Sequence, residues 1–249
     1  MVQHNIVTEN SESTVVSRYV SEGEACSGSY QSEAALESAF IAQLRAQAYE
    51  HLSVKTEAEL VANLRSQLEK LNELSFSDGE WDRLFTGVLA NSNSGIPERT
   101  ALIQEDHVQT IRRNDGTMVN IRLIDKDHIH NNRLQVINQY TPEGGKRENR
   151  YDVTVLVNGF PLVHIELKRR GVELKEAFNQ INRYGVESFW AGSGLFEYVQ
   201  LFVISNGTLT KYYSNSTRYD HTHSPVKGGA VTRRSRSHSF EFTSWWADA

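Results

Sequence analysis

The sequence contains very little cysteine: Cys26 is the only one among 249 residues. A single cysteine excludes an internal disulfide framework and is typical of a chain in a reducing compartment. No run of about 18 apolar residues occurs, which excludes a membrane-spanning helix. The opening stretch MVQHNIVTENSEST lacks the apolar core of a secretory signal. We therefore expect a cytoplasmic protein with no membrane partner.

The sequence also lacks an excess of positive charge: its formal net charge is −5. Hydrophobic residues make up 39% of the chain, as in globular proteins. The chain as a whole is not a polycation, so any surface for nucleic acid has to be a local patch. The length suffices for one large globular domain or two small ones.

Helix signals come first along the chain. Ser32 is a good N-cap for a helix with apolar residues at helical spacing, and capping boxes begin at Thr56 and Ser77. Segment 91–99 is predicted to be a loop. Strands are predicted at 118–124 and 134–140, followed by a hairpin, a helix from about Glu173 to Glu187 and a further strand pair. This order predicts an α/β fold with a mixed central β-sheet flanked by helices.

Composition divides the chain into three parts. Residues 1–28 are predicted to be loose apart from the strand candidate TVVSRYV, residues 29–218 form the main domain, and 219–249 form a flexible tail. The tandem tryptophans Trp245 and Trp246 need a packing partner. Either they close this domain's own core, or they lead into a further region of a longer protein.

The stretch NRYDVTVLVNGFPLVHIELKRRG, residues 149–171, places charged residues in an apolar hairpin. Glu166 and Lys168 leave the same face of one strand, and Asp152 lies on the other strand. Buried charges cost several kcal/mol unless they are compensated, and a divalent cation compensates two carboxylates. Mg²⁺ prefers such ligands, and a nearby ammonium suits phosphodiester hydrolysis. The ordinary alternative is a set of surface charges in cross-strand pairs, with Asp152 paired to Arg150.

Hairpin geometry tests this interpretation. A two-residue Asn158-Gly159 turn alone sends Asp152 and Glu166 to opposite faces of the sheet, because each one-residue change of register reverses the faces. We therefore predict either a three-residue loop or a bulge between the turn and the site. His164 shares the Glu166 face and is interpreted as a core histidine rather than a general base.

Asp152 followed by Glu166-x-Lys168 resembles the core of the PD-(D/E)xK nuclease superfamily, with Tyr151 where the name has proline. The longer stretch EAFNQINRY adds Gln180 and Tyr184 at the spacing of a Gln-x-x-x-Tyr motif. Together with YQSEAALE and EFTSWWAD, these segments resemble the N-terminal nuclease region of the restriction (motor) subunit of type I restriction-modification enzymes.

The resemblance implies a PD-(D/E)xK core with a helical N-terminal portion, in which Asp152 and Glu166 bind Mg²⁺ and Lys168 is the catalytic amine. A first-helix acid often completes such sites; Glu37 is preferred here, with Glu33 as the alternative. The implied activity is non-specific cleavage of double-stranded DNA in a complex with methylation and specificity subunits. ATP would serve only a translocase region, since the chain contains no G-x-x-x-x-G-K-[ST] phosphate loop.

Basic residues beside the hairpin are predicted to contact DNA phosphates without reading bases; they are Arg169, Arg170, Lys175 and Arg183. Two other functions stay open. One is a stand-alone repair or junction nuclease. The other is a non-catalytic docking module that joins a motor to a methyltransferase core and uses the same carboxylates in salt bridges.

Overall fold

The computed structural model describes residues 32–142, 144, 149–219, 240 and 243–246, together with the backbone alone of 4–10, 13–19 and 220–223. The chain divides into two units, Met1–Gln31 and Ser32–Ala249. In the first unit, β1 (His4–Asn10) pairs antiparallel with β2 (Ser13–Tyr19), which contains most of the predicted TVVSRYV strand. Cys26 and most of the predicted tail lie outside the described residues.

The second unit is built on a mixed sheet of seven strands. Its strands are β3 (Glu50–Leu52), β6 (Leu134–Tyr140), β7 (Tyr151–Val157), β8 (Phe160–Leu167), β9 (Leu201–Ser205), β10 (Thr210–Ser214) and β11 (Ser244–Trp246). Two further strands, β4 (Val108–Arg112) and β5 (Met118–Arg122), form a separate hairpin. The sheet order is β11-β10-β9-β8-β7-β6-β3. The β3–β6 and β8–β9 pairs are parallel and the others antiparallel.

Helices flank this sheet, as the sequence predicts; they are α1 (Glu33–Ala46), α2 (Glu57–Leu71), α3 (Asp78–Leu84), α4 (Ile96–Gln104), α5 (Leu174–Glu187) and α6 (Asn215–His223). The three predicted N-caps are confirmed, because the side chains of Ser32, Thr56 and Ser77 each accept a backbone N–H of the first turn. No helix in the described part is long and apolar enough to cross a bilayer.

The loop predicted for 91–99 is wrong in its second half, where α4 begins at Ile96. Pro97 fits the first turn of a helix, because no intrahelical partner is lost there. The Glu98 carboxylate accepts the Gly95 N–H and satisfies one of the exposed backbone donors. The turn-forming residues before Ile96 therefore lead into a helix.

Each sheet face has its own apolar core. On one face, α1 packs on the central strands in a small cluster made of Ile41, Leu44, Val136, Val153, Val155, Ile165 and Leu167. The larger cluster includes the apolar stripe predicted for α5, namely Leu174, Ala177, Phe178 and Ile181. We call these the α1 face and the α5 face. The central β7–β8 hairpin is therefore covered on both sides.

The two tryptophans near the C-terminal end lie on β11 at the edge of the sheet. Trp245 and Trp246 are 54% and 61% exposed, so they do not close the core. The Lys211 Nζ atom lies 4.5 Å from the ring centroids of both Trp245 and Phe240, which anchors this edge through cation–π contacts.

Two glycines give a matched test of the central packing. Gly159, in the hairpin turn, and Gly171 both have a φ of +85°. A Cβ on Gly159 would lie 2.6 Å from Leu64 Cα, whereas one on Gly171 would meet nothing within 4 Å. We expect Gly171→Ala to lower the free energy of unfolding by about 1 kcal/mol through backbone strain alone. Gly159→Ala should lower it by more than about 3 kcal/mol, because α2 must also move. Equal losses in urea unfolding would contradict this packing.

Candidate active site

The β7–β8 hairpin contains both a two-residue turn and a bulge. Val157 pairs with Phe160 across Asn158-Gly159, and the register then shifts by one residue next to Val155. Beyond the shift Asp152 falls opposite Glu166, on the same face of the sheet. The bulge predicted from the sequence is therefore confirmed, although the turn itself has only two residues.

The structure brings the predicted triad together at this end of the hairpin. The Glu166 side chain is fully buried, and the Lys168 Nζ atom lies 3.3 Å from Glu166 Oε1. The backbone N–H of Leu167 donates a hydrogen bond of 2.9 Å to Asp152 Oδ2. Two carboxyl groups and one ammonium thus share a partly enclosed site, which carries one excess negative charge when both carboxyl groups are ionised.

The pKa values of the two carboxyl groups show that two negative charges are unfavourable at this position. Burial, followed by repulsion from Glu166, raises the pKa of Asp152 from 3.8 to about 7. Burial likewise raises the pKa of Glu166, and the positive charge of Lys168 partly opposes this effect. The site therefore disfavours two ionised carboxylates unless further positive charge enters it.

His164 supplies no such charge. Its ring is fully buried, and burial lowers its pKa from 6.5 to about 4, so the imidazole is neutral at pH 7. Its Nδ1 atom lies 3.2 Å from Thr154 Oγ1, and Nε2 lies 3.5 Å from Glu166 Oε2. Among the described residues, neither His164 Nε2 nor Glu166 Oε2 has a hydrogen-bond partner. His164 is a buried histidine, as predicted, and Glu166 Oε2 is a buried carboxylate oxygen that lies beside the His164 ring.

These residues fit a hard divalent cation. The donors are carboxylate oxygens, and one of them, Glu166 Oε2, has no hydrogen-bond partner among the described residues. The two carboxylates share a single ammonium, that of Lys168. Within the part of the chain that the structure describes, no group of three or more His, Cys, Asp or Glu side chains could hold a metal ion. Two protein carboxylates with water as the remaining ligands is a pattern that Mg²⁺ commonly uses.

The α5 residues Gln180 and Tyr184 brace the strand that carries Asp152. The Tyr184 hydroxyl donates to the backbone oxygen of Arg150 over 2.9 Å, and the Gln180 amide donates to the Tyr184 hydroxyl. Burial, followed by the Glu166 charge, raises the pKa of Tyr184. Both residues therefore help to hold the start of β7 against α5.

The two first-helix acids have different neighbours. The Glu37 carboxylate accepts hydrogen bonds from the side chains of Asn138 and Gln139. Among the described residues, no hydrogen bond or ion pair joins it to the triad. Glu33 instead accepts the backbone N–H of Arg169 and adds to the negative field at Glu166. The sequence does not identify Asn138 and Gln139. The structure shows that they lie opposite the start of β7.

The predicted DNA-contact residues are all exposed, on the segment after β8 and on α5: Arg169, Arg170, Lys175 and Arg183. The Arg183 Nε atom lies at 4.0 Å from Glu187 Oε2, a contact too long and too exposed to neutralise it. We call these four exposed basic side chains the positive rim; they occur in a chain whose formal net charge is −5.

Fold and site together define a class. A mixed sheet flanked by helices, with its charged triad at the end of a central hairpin, is consistent with a restriction-endonuclease-like fold. The family model described as type I restriction enzyme R protein N terminus matches residues 30–221. The chain belongs to this family of type I restriction enzyme endonuclease subunits.

Relatives from three bacteria carry matching names. The chain is 44% identical over 220 residues to the type I restriction enzyme EcoprrI endonuclease subunit of Escherichia coli, covering 88% of this chain and 65% of that one. It is 40% identical over 192 residues to the SsaAORF53P endonuclease subunit of Staphylococcus saprophyticus, covering 75% and 20%. It is 38% identical over 105 residues to the HindI endonuclease subunit of Haemophilus influenzae, covering 40% and 9%. The chain therefore spans 65% of the first relative and a fifth of the second.

Proposed function

We propose that this chain is the endonuclease domain of a type I restriction subunit and hydrolyses phosphodiesters of double-stranded DNA without sequence specificity. The observation that carries the proposal is the convergence of Asp152, Glu166 and Lys168 at one end of the β7–β8 hairpin. The charged set is the one expected of a metal-dependent nuclease, and it lies within a PD-(D/E)xK pattern.

Asp152 and Glu166 would hold Mg²⁺. When bound, the ion supplies charge neutralisation at the phosphate and a more acidic water. Asp152 is oriented by the Leu167 N–H, and the buried Glu166 Oε2 atom has no hydrogen-bond partner among the described residues. Lys168 keeps its ammonium beside Glu166, with 11% of the side chain exposed. It is therefore placed to stabilise negative charge that develops on the scissile phosphate.

The positive rim supplies DNA affinity. Guanidinium and ammonium groups at the surface bind phosphates, which are the same in every sequence, so non-specific binding follows. The methylation and specificity subunits of a type I complex, and an ATP-driven translocase in the remainder of the subunit, would choose where this domain acts.

The salt dependence of DNA binding tests whether the positive rim contacts phosphates. Arg170→Gln should weaken binding to duplex DNA of any sequence and reduce the slope of log K against log salt by about 0.9, the value for one lost phosphate contact. The matched control is Arg45→Gln, in the last turn of α1, which should leave the slope unchanged. Fluorescence anisotropy over a salt series measures both slopes, and equal slopes for the two variants would contradict the assignment.

The docking-module alternative requires the carboxylates to be neutralised by salt bridges. Among the described residues Glu166 has Lys168 as its ionic partner, whereas no cation lies within ion-pair distance of Asp152. This excess charge favours the metal-dependent function.

Calorimetric titration of Mn²⁺ and Mg²⁺ into the 249-residue chain tests the proposal. We expect one site, and binding should be lost in Glu166→Ala. A folded wild-type chain that binds neither ion would favour the docking function.

A further inference from the structure

Gln139, near the end of β6, has a left-handed backbone with a φ of +55°. It falls directly opposite Asp152, because Asn138 pairs with Val153 on one side and Tyr140 pairs with Tyr151 on the other. Residues other than glycine rarely adopt this conformation, and it persists only where surrounding contacts hold it.

The left-handed residue reverses the alternation of side chains along β6. In a regular strand, Asn138 and Gln139 would point to opposite faces of the sheet. Here both side-chain amides donate to one carboxylate, that of Glu37 on α1: Asn138 Nδ2 to Oε1 over 2.6 Å, and Gln139 Nε2 to Oε2. The next residue, Tyr140, packs in the larger core with Tyr151 and Phe196. Gln139 is thereby kept off the face that Asp152 and Glu166 share.

Glu37, Asn138 and Gln139 form a hydrogen-bonded group that we call the clamp. The Glu37 side chain is 8% exposed. Asn138 is fixed further by the Lys55 Nζ atom, which donates to its backbone oxygen over 2.6 Å, and by His51 Nε2 at 3.0 Å from its side-chain oxygen. Three segments of the chain therefore hold the residue pair opposite the start of β7.

We infer that Glu37 is a positioning residue: by holding Gln139 in the left-handed conformation, it sets where Asp152 enters the cation site. Without the clamp, Gln139 relaxes toward the extended conformation and turns its side chain onto the face of Asp152. The importance of that displacement for cleavage rests on the proposed function.

Two readouts on the full 249-residue chain test the clamp. The first is amide hydrogen exchange of Leu167 in metal-free protein, because this N–H donates to Asp152 Oδ2. The second is Mn²⁺ affinity by calorimetry. In Glu37→Gln a side-chain NH₂ replaces one acceptor of the clamp, and we expect Mn²⁺ affinity to fall about 10-fold, with faster Leu167 exchange. Adding Gln139→Gly should restore both, because glycine adopts a positive φ without a clamp.

Gln67→Ala is the matched control, since it removes a buried amide that bonds to Asn63 on α2. It should lower stability and leave both readouts unchanged. The inference is overturned if folded Glu37→Gln keeps wild-type exchange and affinity, or if Gln139→Gly fails to restore them. A wild-type chain that binds no Mn²⁺ would refute the proposed function, while Leu167 exchange would still decide the positioning role.

Discussion

Replacing Asp152 with asparagine is expected to stabilise the metal-free protein by about 1–2 kcal/mol and to abolish its response to divalent cations. The amide keeps the shape of the side chain and an oxygen that accepts the Leu167 N–H. It removes the charge that burial and Glu166 disfavour, and the desolvation of the new amide N–H groups offsets part of this gain. The Glu166–Lys168 ion pair remains. Urea unfolding with and without Mn²⁺ measures both effects.

In saturating Mn²⁺ the order of stability should reverse. A ligand that binds only the folded state adds about 2.7 kcal/mol at a concentration 100 times its Kd, and only the wild-type chain receives this gain. Asp127→Asn, a substitution at an exposed acid, is the control and should change neither measurement. If Asp152→Asn destabilises the metal-free protein, or binds Mn²⁺ as tightly as the wild type, the electrostatic account of the site is wrong.

Replacing Lys168 with alanine is expected to reduce DNA cleavage by about 10²- to 10³-fold, the effect of removing one group that stabilises transition-state charge. Mn²⁺ affinity should stay the same or increase, because the ammonium that competes for Glu166 is gone. The assay uses the complete subunit with its partner subunits and ATP, since the translocase is expected to deliver the DNA. Cleavage of a supercoiled plasmid and ATP hydrolysis are measured in parallel.

The split between the two activities is the informative result. Cleavage should fall while ATP hydrolysis continues, and Lys70→Ala, at an exposed lysine near the end of α2, should affect neither. A Lys168→Ala complex that cleaves at the wild-type rate would remove the lysine from the mechanism. Loss of ATP hydrolysis as well would indicate a defect in assembly rather than in chemistry.

Local signals account for the parts of the fold that the sequence predicts. The caps at Ser32, Thr56 and Ser77 depend on residues three positions away, so they can be recognised without tertiary information. The hairpin bulge was predictable because parity of register is a counting argument. The start of α4 was missed because Gly95 and the asparagines and serines before it are equally typical of loops and of helix entry.

Tertiary placement accounts for what the sequence leaves open in the site. Glu33 and Glu37 lie one turn apart on the same side of α1, so only the position of the helix relative to β8 separates their neighbours. The left-handed backbone at Gln139 has no sequence signal, since glutamine has no preference for that region. The bracing contact from Tyr184 to the Arg150 backbone likewise depends on how α5 packs.

A crystal soaked with Mn²⁺ and measured for anomalous scattering tests the central claim most directly. The account predicts one anomalous peak about 2.1 Å from carboxylate oxygens of both Asp152 and Glu166, with Lys168 beside it. A well-occupied peak elsewhere, or crystals saturated with Mn²⁺ that show none between these two side chains, would contradict it.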